Sequence, residues 1–252
     1  MTKLSNLLAA SLCILFATPP CAAQDNEKDK EQQGETPRIL VFTKTNGYRH
    51  QSIEKGVATL RDLCQAEGVT MEHTEDSLQF NPKALSAYKL VVFLSTTGDV
   101  LGAAQEQAFR DFIARGGSYM GIHAATDTEY DWPWYGELAG AYFESHPEQQ
   151  QAVLHVVDRE HPSTIHMPER WSHFDEWYNF RDIQPGIKVL INLDESSYEG
   201  GSNGASHPIA WYRSFGGGRS FYTGMGHTEA AFDDPNFRKH LSGGLRYCLG
   251  IE

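Results

Sequence analysis

The sequence predicts an α/β fold, in which helices cover the faces of a largely parallel sheet. Four short apolar segments, at residues 38–43, 69–73, 90–94 and 118–122, have the length and composition of buried strands. Stretches of helical periodicity separate them, and this alternation is typical of parallel sheets. Beyond residue 150 the pattern changes to strand-like segments with short connections. We therefore expect one three-layer sandwich with an elaborated, partly antiparallel second half.

The helices are predicted from apolar spacing and from the residues that begin or end them. An apolar stripe at helical spacing predicts the first helix and consists of Ile53, Val57, Leu60 and Cys64. Asn81 and Asp234 each precede a proline, as an N-cap precedes a proline in the first turn, so helices should begin at residues 82 and 235. Residues 104–114 form another helical segment.

Five segments of the second half are predicted to be strands. They are residues 151–157, 177–180, 188–193, 209–212 and 220–223. Glycines 216–218 lie between the last two and predict a hairpin turn. A phosphate cradle would need a helix after these glycines, and a strand follows instead.

Composition and charge exclude several classes of protein. Of the 252 residues, 40% are hydrophobic, which is enough for a core and argues against a disordered or fibrous chain. The formal net charge of −12 argues against nucleic-acid binding, because an acidic protein gains little from releasing the counterions of a phosphate backbone.

The first 23 residues have the pattern of an export signal. Lys3 supplies a positive charge, residues 7–17 are apolar, and Cys21-Ala22-Ala23 suits cleavage after Ala23. The apolar run is too short to span a bilayer, so no transmembrane span is expected. A lipoprotein anchored at Cys21 is the weaker alternative. Residues 24–37 then read as a disordered linker and 38–252 as the folded domain, which places the protein in the periplasm or outside the cell.

Two cysteines remain after such cleavage, Cys64 and Cys248. Their spacing fits no zinc-finger motif. The sequence leaves open whether they form a disulfide or stay as two buried thiols.

Candidate functional residues follow the predicted parallel strands, because ligands of open α/β sheets bind at the carboxyl ends of strands. The strongest candidate is His123, at the third position of Gly121-Ile122-His123-Ala124-Ala125. A strand that ends in such a run of small residues directs its central side chain into the cleft, like the nucleophile elbow of hydrolases. A histidine there leaves no serine or cysteine for acyl transfer.

The sequence contains none of the motifs G-x-S-x-G, G-x-x-x-x-G-K-[ST], G-x-G-x-x-G or H-E-x-x-H. We therefore expect neither a nucleotide cofactor nor the helical zinc site of metalloproteases.

Further histidines and carboxylates cluster where metal or acid–base chemistry would place them. His50 lies in the loop after the first strand, His146 precedes a proline, and His227 follows the glycines of a predicted strand end. Asp175 and Glu176 are adjacent, so on a strand they would point to opposite faces and only one would face the cleft. Histidines 155, 166 and 240 are interpreted as structural.

Five motifs taken in order resemble the ThuA-like (trehalose-utilisation) family. They are GGSYMGIHAATDT at 116–128, HP at 146–147, DEWY at 175–178, PIAW at 208–211 and GRSFYTGMGH at 218–227. The resemblance covers residues 38–250 and implies a flavodoxin-like fold of the class I glutamine amidotransferase type, without that family's cysteine. It also implies a role in the catabolism of disaccharides or keto-sugars.

Two functions remain open at this point. The first is an enzyme that isomerises a keto-sugar or keto-glycoside, or cleaves it next to the carbonyl, where the carbonyl acidifies the neighbouring C–H. The second is a non-catalytic module that binds a sugar or another partner. An amidohydrolase is a more distant third. Oligomeric state is not predicted.

The predicted site has His123 at its centre. As catalytic residues we expect His123, Glu176, His227 and, if the strand register differs by one, Asp175. As substrate-binding residues we expect His50, Asp127, Tyr178 and Trp211. A divalent metal such as zinc would be held by His123, His146 and His227, and without a metal His123 would be the base.

Overall fold

Strands and helices alternate through the first half of the protein, in the order the sequence predicts. A computed structural model describes residues 1–2 and 36–251. The predicted export signal and most of the predicted linker lie outside the described residues. The first four strands are β1 (Arg38–Phe42), β2 (Thr70–Thr74), β3 (Leu90–Leu94) and β4 (Ser118–Ile122). The helices are α1 (Ile53–Ala66), α2 (Pro82–Leu85), α3 (Ala103–Ala114), α4 (Pro133–Ala139) and α5 (Pro235–Leu249).

Seven more strands follow. They are β5 (Tyr142–Ser145), β6 (Gln150–Val156), β7 (Arg170–Asp175), β8 (Asn179–Arg181), β9 (Lys188–Asp194), β10 (His207–Phe215) and β11 (Gly218–Thr223). Nine strands form one sheet in the order β2-β1-β3-β4-β11-β10-β9-β6-β7, while β5 and β8 pair separately. The pairs from β2 to β11 are parallel, and those from β11 to β7 are antiparallel.

This topology brings distant parts of the chain to one edge of the sheet. The parallel strands β1, β3, β4 and β11 all end there. In the antiparallel half the direction alternates from strand to strand, so β9 and β7 run the same way as β11 and end at the same edge. Loops carrying residues near 50, 95, 123, 176 and 227 therefore meet.

One predicted strand is wrong. Residues 177–180 were expected to form a strand, but β7 ends at Asp175 and only Asn179–Arg181 pairs again, with β5. The inward positions of β7 are Trp171, His173 and Asp175, which alternate with exposed residues. Because two of the three are polar, the strand lacks the apolar alternation from which strands are recognised.

The core lies on both faces of the central strands. Every residue of β3 and β4 is buried, as a sheet covered by helices on both sides requires. On these faces α1 packs against α5 and α2 against α3. Cys64 and Cys248 are both buried free thiols, which resolves the question of a disulfide. Within the described ranges, no helix has the length and apolarity needed to cross a membrane.

Candidate active site

A cavity of about 310 Å³ opens at the edge where these strands end. It is lined by Tyr48, His50, Asp127, Phe143, His146, Gln149, Glu176, Tyr178 and His227. His123 lies beside it, with its ring centroid 4.5 Å from that of Tyr178. Titratable groups and aromatic rings therefore share one cavity.

His123 occupies a strained turn directly after β4. Its φ of +50° lies in the left-handed region, which costs a residue other than glycine about 1–3 kcal/mol. The Tyr222 hydroxyl donates to the His123 carbonyl at 2.7 Å and holds this conformation. At Gly121 an added Cβ would lie 2.5 Å from the Tyr119 hydroxyl, so a larger residue does not fit behind the turn. This turn places the imidazole beside the cavity, against Tyr178.

The orientation of the His123 ring is fixed by a backbone carbonyl. Its Nδ1 lies 2.9 Å from the Gly224 carbonyl oxygen, which can only accept, so Nδ1 carries the proton. Nε2 then faces Nδ1 of His227 at 3.1 Å. This arrangement is typical of metal-ligating histidines, whose second nitrogen donates to a carbonyl or carboxylate.

Glu176 lies among the histidines. One carboxylate oxygen, Oε2, is 3.5 Å from Nε2 of His123 and 3.0 Å from Nδ1 of His227. Burial by itself would raise the pKa of Glu176, but hydrogen bonds with His123 and His227 outweigh it and hold that pKa well below its usual range. Glu176 is therefore an ionised carboxylate in a nearly closed environment.

His50 completes a group of four ligand-type residues with His123, Glu176 and His227. One ligand atom from each lies within 4.8 Å of the others. Burial, followed by the nearby His123, lowers the pKa of His50 to about 2, so the ring is neutral. Its Nδ1 is buried and has no hydrogen-bond partner within the described residues. Such an atom normally costs about 1–3 kcal/mol, which a ligand would relieve.

These four residues, here called the His3Glu cluster, fit a divalent metal ion. Zinc with bonds of about 2.0–2.1 Å would place tetrahedral donors about 3.3 Å apart. The three measured separations among His123, Glu176 and His227 are 3.0, 3.1 and 3.5 Å. Three imidazole nitrogens and one carboxylate suit zinc and other first-row divalent ions.

Asp175 does not face the cavity. Its side chain is fully buried, and its two oxygens accept the backbone N–H groups of Gly226 at 2.7 Å and Thr228 at 3.0 Å. These amides lie on either side of His227. Asp175, predicted as a reserve catalytic carboxylate, thus holds the loop that carries His227 and does not line the cavity.

His146 lies outside the His3Glu cluster, contrary to the predicted metal set. Its Nδ1 is 3.1 Å from Oε1 of Glu176, and its side chain is 44% exposed. The predicted substrate residue His50 takes its place among the possible ligands. The physical reason is that the 43–52 loop enters the cavity at depth, whereas His146 follows β5 at the rim.

Of the four predicted substrate residues, His50, Asp127 and Tyr178 line the cavity and Trp211 does not. Asp127 accepts from the Tyr130 hydroxyl at 2.6 Å, and burial raises the pKa of Asp127 despite that bond. Tyr178 is buried against Phe143, with ring centroids 4.3 Å apart. Trp211, by contrast, is fully buried in the core, where its indole N–H donates to the Ala139 carbonyl. Its prediction as a substrate residue is wrong, because β10 runs antiparallel and the side chain packs under α4.

Three lining residues were missed by sequence reasoning: Tyr48, Phe143 and Gln149. The Gln149 amide lies 2.9 Å from Nε2 of His227. Tyr48 and His50 are neighbours along one loop, and their rings meet at 4.9 Å. Gln149 and Phe143 are both within four residues of His146, so that proximity was the available signal.

A larger cavity, of about 700 Å³, lies at the opposite end of the sheet. It is bounded by the turn between β10 and β11 and the end of α5, and its lining includes Lys89, Arg219 and Cys248. None of its lining residues is a histidine, aspartate or glutamate. It therefore lacks the acid–base groups found at the carboxyl ends of the strands.

Comparison with known proteins identifies the family. A sequence profile described as ThuA, trehalose utilisation, matches residues 38–248. The chain belongs to the ThuA family. This confirms the resemblance seen in the sequence, and places the protein in the class I glutamine amidotransferase-like superfamily. Membership supports a carbohydrate-related function. A search of curated protein sequences gave no match.

Solved structures confirm the fold. A ThuA-like protein from Bacteroides uniformis superposes with a TM-score of 0.73 at 22% identity, covering 85% of this chain and 92% of that one. One from Parabacteroides merdae gives 0.72 at 21% identity, covering 85% and 90%. A β-galactosidase from Bacillus circulans gives 0.56 at 15% identity over 86% of this chain, but only 31% of its own. At these identities the likeness is one of fold.

Proposed function

We propose that this ThuA-family protein is an enzyme that acts on a keto-sugar or keto-glycoside with the help of a divalent metal. The observation that carries the proposal is the His3Glu cluster, buried at the wall of a cavity large enough for one sugar ring. Three nitrogen donors and one carboxylate oxygen within 4.8 Å of one another suit a metal more than they suit a neutral ligand.

The ligands of the metal would be His50, His123, Glu176 and His227. Bound there, and accepting the substrate oxygen as a further ligand, a divalent ion would supply Lewis acidity to polarise the carbonyl. His123 is held for this role by the Gly224 carbonyl, and His227 by the loop that Asp175 fixes. Coordination would also give a partner to the ring nitrogens of His123 and His227 that now face one another.

The proton next to the carbonyl would be moved by a group outside the ligand set. His146 is placed for this, because it contacts Oε1 of Glu176 and is open to the cavity and to solvent. Asp127 stands in the same cavity with one oxygen bound by the Tyr130 hydroxyl. It would accept hydrogen bonds from substrate hydroxyls.

The remaining wall suits a sugar ring. Tyr178 and Phe143 present aromatic surface beside the polar groups, and sugar C–H faces pack against such rings. The same wall would serve a non-catalytic sugar-binding module. A module of that kind has no use for a strained histidine and a buried cluster of four ligand-type residues, so the enzyme is favoured.

The test is a screen of the purified protein against glucosides and their 3-keto forms, with and without a chelator. We expect turnover of keto forms only, loss on chelation and recovery on adding a divalent ion. Elemental analysis should find about one ion per chain in wild type and less in Glu176→Gln. If metal-free protein turned over the substrate at an unchanged rate in the presence of a chelator, the proposed role of the metal would be refuted.

Export is a separate proposal, which rests on the pattern of Lys3, residues 7–17 and Cys21-Ala22-Ala23. Mass spectrometry of the protein from a cell envelope fraction should give a chain beginning at Gln24. A chain beginning at Met1 would contradict cleavage after Ala23, and a diacylated Cys21 would show a lipoprotein.

A further inference from the structure

A second cavity, of about 390 Å³, adjoins the one that holds the His3Glu cluster. It is lined by Tyr48, Gln51, Ser52, Gln149, His227, Thr228 and Glu229. Tyr48, Gln149 and His227 line both cavities, so the two are adjacent. We call them the inner cavity, which contains Glu176, and the outer cavity.

The two cavities differ in chemistry. The inner cavity has buried ligand-type residues and the aromatic rings of Phe143 and Tyr178. The outer cavity is lined by amides, hydroxyls and one carboxylate, and its Gln51 and Glu229 side chains are exposed. His227 and Gln149 form the boundary, with 2.9 Å between the amide nitrogen and Nε2. A molecule filling both would place one part on the reacting groups and another in a polar, solvent-open recess.

We infer that the outer cavity binds the leaving group of a keto-glycoside, and that the reaction is cleavage of the glycosidic bond. This rests on the proposed function and goes one step further. Isomerisation alters only the oxidised ring, so the group in the outer cavity would take no part in its chemistry. Cleavage separates two groups that must lie on either side of the reacting carbon, and the junction at His227 provides that division.

The cleavage balances without an oxidant or reductant. In a glycoside with its carbonyl at C3, the base removes the proton at C2, which the carbonyl acidifies. The electron pair forms the C1–C2 double bond as the C1–O bond breaks, and the glycosidic oxygen leaves with a proton as an alcohol. Water then adds across the double bond, giving OH at C1 and H at C2. The products are the 3-keto sugar and the free leaving group.

The lining of the outer cavity also selects the leaving group. Amide and carboxylate side chains hydrogen-bond to hydroxyls, and the lining includes no lysine or arginine. Glu229 would repel a phosphate. The leaving group is therefore a neutral polyhydroxylated ring, and neither an apolar aglycone nor a sugar phosphate.

The experiment compares three substrates: 3-ketotrehalose, its 6′-phosphate on the unoxidised ring, and methyl 3-keto-glucoside. The double variant Gln51→Ala/Glu229→Ala removes two exposed hydrogen-bonding groups from the outer cavity. Losing two such bonds should raise KM for 3-ketotrehalose about 10-fold, while kcat/KM for the methyl glycoside changes less than about 2-fold. The phosphate should be the poorer disaccharide substrate for wild type and improve in the double variant. Glu160→Ala, an exposed carboxylate outside both cavities, is the control.

The outcomes separate this inference from the proposed function. Turnover of 3-ketotrehalose to an uncleaved isomer, or an equal effect of the double variant on both neutral substrates, would overturn the inference and leave the keto-sugar activity standing. Failure to act on any keto substrate, with metal bound, would instead overturn the proposed function and the inference with it.

Discussion

Two groups of buried histidines in this protein differ in what surrounds them. His50, His123 and His227 surround Glu176 beside a cavity. His161 and His240 lie around Ser163, at helix α5: His161 Nδ1 is 2.8 Å from the Ser163 hydroxyl, and His240 Nδ1 is 3.0 Å from the Ser163 carbonyl oxygen. Burial lowers the pKa of His161 to about 4 and of His240 to about 3, so both groups contain neutral rings.

The comparison shows that burial and a perturbed pKa do not by themselves identify a site. Each group includes a ring nitrogen without a hydrogen-bond partner in the described residues: His50 Nδ1 in one, and Nε2 of His161 and His240 in the other. The differences are a carboxylate among the rings and access from a cavity. Only the first group has both.

The largest expected effect comes from His123. His123→Asn should reduce activity on a keto substrate by about 1,000-fold or more, because it removes a ligand and the group at the centre of the site. Asparagine tolerates the positive φ better than alanine does, so the fold should remain intact. Circular dichroism and a melting curve would check this. His240→Ala should keep wild-type kcat/KM although it is destabilised, and a comparable loss there would remove the distinction between the two groups.

Asp175 offers the next largest effect. Asp175→Asn places an amide N–H against the backbone N–H of Gly226 or Thr228, loosening the loop of His227. The affinity for Zn²⁺ should fall about 10- to 100-fold, as when a partner that orients a ligand is lost. Competition with a chromophoric chelator measures it. An unchanged affinity, with the fold intact, would show that the loop is held without Asp175.

Gln149 should give a smaller change. Gln149→Ala removes one hydrogen bond to His227, and the expected loss in kcat/KM is about 2- to 10-fold. Gln151→Ala is the matched control, because Gln151 bonds Ser172 and lines neither cavity. Equal losses in the two variants would show that the hydrogen bond to His227 does not contribute to kcat/KM.

The last prediction concerns stability at acid pH and not activity. The pKa of His240, about 3 when folded, lies below its unfolded value of about 6.5. Between these values the unfolded chain binds more protons, so the free energy of unfolding rises with pH and is lost as pH falls. His240→Gln, which cannot titrate, should give a shallower pH dependence between pH 4 and 6.5 in urea unfolding. An identical slope would show that the ring is not protonated on unfolding.

The fold was predictable where apolar pattern and capping residues coincide. β1, β3 and β4, and α5 after Asp234-Pro235, follow from those signals. β7 was missed because its inward positions include His173 and Asp175, which hold other elements together and so interrupt the alternation. The polar residues that support the site thus concealed the strand carrying it.

The candidate site was predictable in part for a similar reason. His123 followed from the small residues of its turn, which are local in sequence. The pairing of His50 with Glu176 depends on which strands reach one edge of the sheet, and sequence spacing does not report that. Trp211 was wrongly predicted to bind substrate because it belongs to the PIAW motif, and motifs include residues that stabilise the fold as well as residues that contact a ligand.

In the antiparallel half of the sheet, the edge at which a strand ends depends on whether an even or an odd number of steps separates it from β11. Each step from β11 to β7 reverses the direction of the chain, and Glu176 reaches the edge shared with His123 because the number of steps is even. If two strands were added or removed between β11 and β7, β7 would still end at the same edge of the sheet. If one strand were added or removed, β7 would end at the opposite edge, and the Asp175–Glu176 pair would lie some five residues of strand length from His123.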